Sequence, residues 1–137
     1  MSTTPMPRIP ANTLVMVADG TGARLFRNAG TDSRLSLHQD GMLEPKDLDE
    51  EGPSGVMPPE SDTRIDEATF AKQLAQRLNE GALRQEYEHV VLVADPRTLG
   101  LMRPLLHKEV DQRMVAELAK TLTGSPLADI ERALSAP

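Results

Sequence analysis

The stretch LVMVADGTGARLF, residues 14–26, passes from one apolar segment through Asp-Gly-Thr-Gly into another. Leu14 to Ala18 is too short for an independent helix, and its valines suit a buried strand. Asp19-Gly20 tolerates the positive φ of a tight hairpin turn, and Gly22 adds a second permissive position. Ala23 to Asn28 reads as the returning strand. Outward from there, AGTD (Ala29 to Asp32) is a further turn. SRLSLHQ then alternates Leu35 and Leu37 on one face with Arg34, Ser36 and His38 on the other, the pattern of a half-buried strand. These segments predict a three-stranded antiparallel meander.

Residues 40–65 change character. They are acidic and rich in proline and glycine, with no sustained period, so we expect a mobile insertion. Helix signals begin at Asp66, a capping residue followed by Glu67, with Ile65 placed to staple onto Phe70. Phe70, Leu74 and Leu78 recur every four residues, and the amphipathic helix is expected to end near Arg84. His89 to Asp95 is a continuous β-branched run, as in a central strand covered on both faces. Asp95-Pro96 ends it and can start a helix, while Pro104 predicts a kink or two short pieces. QRMVAELAKTL is ambiguous between helix and strand. Ser125-Pro126 opens a final short helix carrying Leu127, Ile130 and Leu134.

Composition narrows the function. A chain of 137 residues is one domain, with a tail at 1–12 and the folded part at 13–135. Cysteine is absent, which excludes disulfides, thiolate zinc sites and a cysteine nucleophile. One Tyr, two Phe and no Trp leave almost no base-stacking surface, and a net charge of −6 argues against a broad nucleic-acid footprint. No apolar run approaches a membrane span, and MSTTPMPRIPANT has no export signal, so the expected location is the cytoplasm.

Several blocks together resemble the bacterial host attachment protein family: VADGTGARLF, FAKQLAQRLNEG, VVLVADPRTLGLMRPLL and MVAELAKTLTGSPLADIERAL. Members look like the middle domain of the class-one peptide release factors of archaea and eukaryotes. The resemblance implies that RMVAELA is a fifth strand, giving a single α/β domain with a mixed five-stranded sheet in the order β-β-β-α-β-α-β-α. Pro104 departs from the polar helix former that family sequences often carry there. The family name describes a phenotype, and a chain expected in the cytoplasm would act on attachment indirectly.

Asp19 is the sharpest chemical candidate, because a carboxylate at a strand end can hold a metal. Two-metal hydrolysis needs several such oxygens, and Asp95 is its natural companion. The plainer reading makes Asp19 a hairpin turn residue and Asp95 a helix cap, and we favour it. Arg24, Arg97 and Arg103, with Thr98 and the amides opening the second helix, are the candidates for contact with an anion or RNA. His38, His89 and His107 lack metal-ligand spacing and read as structural, His107 near a helix end where a cation complements the dipole. Ser54 lacks the context of a nucleophile elbow. The expectation is therefore a module without metal or cofactor that binds a protein or ribonucleoprotein. The rival is a divalent-metal-dependent hydrolase or nuclease using Asp19 and Asp95, and a strand-edge oligomer is a third possibility.

Overall fold

Strand β1 (Leu14–Asp19) and strand β2 (Gly22–Asn28) pair antiparallel across the Asp19–Gly22 turn, as the opening stretch predicts, although neither Gly20 nor Gly22 takes the positive φ expected of it. Strand β3 (Leu37–Leu43) completes the meander. The computed structural model describes residues 9–31, 34–43 and 63–135, the side chains of 63–67 and 135 excepted. β3 starts later than the alternation of Leu35 and Leu37 suggests and runs on through Asp40–Leu43, residues that the composition places in the insertion. It can do so because a bulge opposite Leu25 and Phe26 absorbs Asp40 and restores the register at Gly41. The expected insertion otherwise falls largely at residues 44–62, outside the described residues.

Helix α1 (Thr63–Leu83) begins upstream of the predicted cap, so Asp66 lies within it. The side chain of Ile65, and with it the expected staple, lies outside what is described. Strand β4 (Val90–Ala94) follows, and then helix α2 (Pro96–Met102). A 3-10 turn at Arg103–Leu105 and a short helix α3 (Lys108–Arg113) come next, so the chain breaks at Pro104 into two pieces. Strand β5 (Met114–Ala119) and helix α4 (Leu127–Ser135) end the fold. The predicted order holds, with α3 as an added helix. Of RMVAELA, Arg113 ends α3 and MVAELA is a strand, because parallel pairing with β4 outweighs its helix-compatible composition.

The sheet order is β3-β2-β1-β4-β5, with β1, β4 and β5 parallel. The period-two alternation of β1 and β4 divides the core into two. Leu14, Met16, Ala18, Val90 and Leu92 face Phe70, Leu74 and Leu78 of α1. Val15, Val17, Val91 and Val93 face Ile130 and Leu134 of α4, with Phe26 and Ile9 beside them. Full burial of each large apolar side chain contributes about 1.5–3 kcal/mol, which favours covering both faces of the sheet. Among the described residues no helix is long and apolar enough to cross a membrane.

The topology has one consequence for function. Ala18 of β1 pairs in register with Ala94 of β4. Asp19 and Asp95, the next residue on each chain, therefore emerge side by side at the carboxyl ends of adjacent parallel strands. That is where open α/β sheets gather their ligands.

Candidate functional site

Asp19 is first a turn residue. Its Oδ1 accepts from the Thr21 amide at 2.7 Å, the Thr21 hydroxyl at 2.8 Å and the Gly22 amide at 3.0 Å. Its Oδ2 accepts from the Thr123 hydroxyl in the loop after β5. Burial pushes the Asp19 carboxyl upward, but the hydrogen bonds from Thr123, Thr21 and Gly22 outweigh it and hold the group below its ordinary value. Asp19 thus closes the β1–β2 turn and ties it to a loop more than a hundred residues away in sequence. Nothing in the spacing of Thr123 signalled that bond.

Asp95 caps α2, as the Asp-Pro pair predicted: its Oδ2 accepts from the Thr98 amide at 3.2 Å. Its Oδ1 is buried and has no hydrogen-bond partner. The amide of Leu99 is taken by the Asp95 carbonyl at 2.9 Å, and Pro96 has no N–H. The start of this short helix therefore does not offer the run of free amides that the sequence suggests for an anion.

Asp19, Gly20, Thr21, Asp95, Arg97, Thr98, Leu101 and Thr121 line one cleft of about 270 Å³. Of the six predicted site residues, the structure brings Asp19, Asp95, Arg97 and Thr98 together there. Arg24 lines a neighbouring groove of about 490 Å³, which shares Asp19, Thr21 and Thr121 with the first and adds Met42, Leu43 and Thr123. Arg24 is heavily engaged. Its Nη1 donates to the Ser125 carbonyl at 2.7 Å and the Thr123 carbonyl at 3.1 Å, its Nη2 to Gln39 at 3.2 Å, and its guanidinium lies 5.0 Å over the Phe26 ring. Arg103 lines neither space; its Nη2 pairs with Glu117 of β5 at 2.7 Å.

With this geometry in place, comparison places the chain among known sequences. A family model described as bacterial archaeo-eukaryotic release factor family 12 matches residues 12–134. The chain belongs to that family. The release-factor-like half of the resemblance read from the sequence blocks is thereby upheld, while the matching description says nothing of attachment. No curated protein matches. Among solved structures, the activator of the 2-hydroxyisocaproyl-CoA dehydratase from Clostridium difficile with bound ADPNP is similar at 14% identity and a TM-score of 0.45. The match covers 94% of this chain and 61% of that one, so the family-12 chain spans less than two thirds of its length. A likeness that weak carries no ligand or activity across.

In this family-12 chain one histidine has a clear part in the scaffold. His107 opens α3: its Nδ1 accepts from the Glu109 amide at 3.0 Å, and its own amide donates to Asn79 at 2.7 Å. The sequence suggests a cation near a helix end at His107, but it acts at a helix start as an acceptor, because the break at Pro104 begins a new helix there. Among the described residues no group of three or more His, Asp or Glu side chains converges to hold a metal ion. Asp19 and Asp95 share a cleft, yet both oxygens of Asp19 already accept hydrogen bonds. The lining of the cleft combines two carboxylates, one of them with a buried oxygen that has no partner, a guanidinium and three threonines.

Proposed function

We propose that this chain is a non-enzymatic interaction module of the cytoplasm, engaging a ribonucleoprotein or protein partner of the translation machinery through the carboxyl end of its sheet. The observation that carries this reading is the match to a release-factor family over residues 12–134. The saturated hydrogen bonding of Asp19 supports it, since a carboxylate held by Thr21, Gly22 and Thr123 serves the scaffold. Arg97 and Thr98 are the contact residues at the cleft, with Arg24 as the support of the loop beside it and Arg103 on the flank. Any effect on attachment to host cells is indirect, through what the partner makes.

The test is co-sedimentation of purified protein with bacterial ribosomes on a sucrose gradient at low salt. The protein is expected in the ribosomal fractions and lost from them after nuclease treatment, with Arg97→Glu weakening the association. Protein that stays at the top of the gradient at low salt overturns the proposal.

The metal-dependent hydrolase using Asp19 and Asp95 is kept as a second reading on one observation, the unpartnered Oδ1 of Asp95 in the cleft it shares with Asp19. It predicts that Mg²⁺ or Mn²⁺ raises the melting temperature of the wild type and not of Asp95→Asn. A melting curve unmoved by either ion removes it.

A further inference from the structure

A buried polar atom without a partner destabilises the fold, more so when charged, and asks for an explanation. Asp95 Oδ1 is such an atom. Capping needs only one carboxylate oxygen, and Oδ2 already serves Thr98. The second oxygen is an acceptor looking for a donor. Oδ1 is closed to solvent as it stands, and a turn about the soft terminal bond, which loosens the Thr98 bond, brings it to a donor in the cleft without moving the backbone.

The rest of the lining describes the ligand. Arg97 supplies a positive charge two residues along the chain, and the other carboxylate of the lining, Asp19, is already taken up by hydrogen bonds. Thr21, Thr98 and Thr121 add hydroxyl-bearing side chains, and no aromatic side chain lines the space. A ligand that fits carries a hydroxyl donor for Asp95 next to an anion for Arg97. The volume, about 270 Å³, is below the roughly 300–1,000 Å³ of pockets that enclose whole drug-sized molecules. It has room for a sugar and one phosphate.

We infer that the cleft between the ends of β1 and β4 holds one ribose-phosphate unit of single-stranded RNA, with the 2′-hydroxyl donating to Asp95 and the phosphate on Arg97. This rests on the ribonucleoprotein reading above and names what that site touches. The absence of an aromatic platform makes the contact independent of base, because stacking is the usual way to hold an unpaired base. The 2′-hydroxyl makes it a contact that tells RNA from DNA. The acidic chain keeps the affinity low, and a single phosphate contact gives only a shallow salt dependence.

The experiment compares a fluorescently labelled oligouridylate with the oligodeoxyuridylate of equal length, by anisotropy at low salt, on the purified full chain. The bases are identical, so only the ribose differs. The RNA is expected to bind roughly tenfold more tightly, the scale of one hydrogen bond to a charged group. Asp95→Asn keeps a good helix cap. Its amide oxygen takes over Thr98 and its amino group replaces Oδ1, turning the acceptor into a donor. That variant is expected to lose the RNA preference by weakening RNA alone, while Arg97→Glu weakens both probes about equally.

Equal affinity of the wild type for the two probes, no binding of either, or a preference that survives in Asp95→Asn each overturn the inference. The outcome separates from that of the gradient. A ribose preference without ribosome association leaves this site standing and removes the broader proposal, and association without a ribose preference does the reverse.

Discussion

Each end of the sheet hangs on one polar side chain at a strand terminus, and the two are built differently. At the amino end of β1, Asn28 closes β2 and is wholly buried. Its Nδ2 donates to the carbonyls of Ile9 at 3.0 Å, Pro10 at 3.2 Å and Thr31 at 3.4 Å. Its Oδ1 accepts from the amides of Gly30 at 2.9 Å and Ser36 at 3.0 Å. At the carboxyl end, Asp19 plays the same part for the β1–β2 turn, but it is charged and only partly buried. Beside it stands Asp95, with an oxygen that nothing satisfies. A neutral amide sealed inside the fold and fully bonded can only hold the chain together. A charged turn next to an unsatisfied acceptor holds the chain and leaves something over for a ligand.

The largest effect is expected where the bonding is complete. Asn28→Ala strips partners from several buried backbone groups at once and should cost about 3–4 kcal/mol in urea unfolding. A loss below about 1 kcal/mol would mean that the amino end is not held as described.

Asp19→Ala should cost less, about 2 kcal/mol, since part of its surroundings is open to water and can replace the lost bonds. Its signature is in the pH dependence. A carboxyl whose folded pKa lies below its unfolded value stabilises the fold fully above the unfolded value of 3.8. That stabilisation disappears as pH falls through the lower folded value. The gap between wild type and Asp19→Ala should therefore narrow in acid, while the gap for Asn28→Ala, which does not titrate, stays constant. Parallel pH profiles for the two variants would erase the distinction between the ends.

How far this was legible in the sequence follows from which interactions are local. The Asp-Gly turn, the Asp95 cap and the break at Pro104 involve neighbours along the chain, and all three were readable. So was the apolar period that builds both halves of the core. Fifth-strand character in RMVAELA was not readable from pattern, because its pairing with β4 is a tertiary fact; only the family-like block pointed to it. The cleft was half visible: Asp19, Asp95, Arg97 and Thr98 were named, but Thr121 and Thr123 were not. No spacing rule connects a threonine after the last strand with an aspartate at the end of the first. Asn28 passed as an ordinary strand end for the same reason, since its partners at Ile9 and Ser36 are defined only once the hairpin has closed.

The smallest predicted effect is a gain. Gln85 follows α1 with φ of 59°, a left-handed conformation that non-glycine residues adopt at a cost. The Glu86 amide donates to the Gly81 carbonyl at 2.8 Å and the Gln85 amide to the Ala82 carbonyl at 3.1 Å. That pair of bonds is the helix-ending arrangement in which glycine usually occupies this position. Gln85→Gly relieves the strain but adds freedom to the unfolded chain, so the net gain should be about 0.5 kcal/mol, or roughly 2 °C in melting temperature. Gln85 and Asn12, the other non-glycine residue with positive φ among the described residues, both line a space of about 350 Å³ at the Asn28 end of the sheet. Strain of this kind can mark a functional site, where relieving it would lower activity. If the amino end is scaffold alone, Gln85→Gly gains stability and binds the oligouridylate as well as the wild type does. A stabilised variant with weakened RNA binding would instead put function at both ends of the sheet.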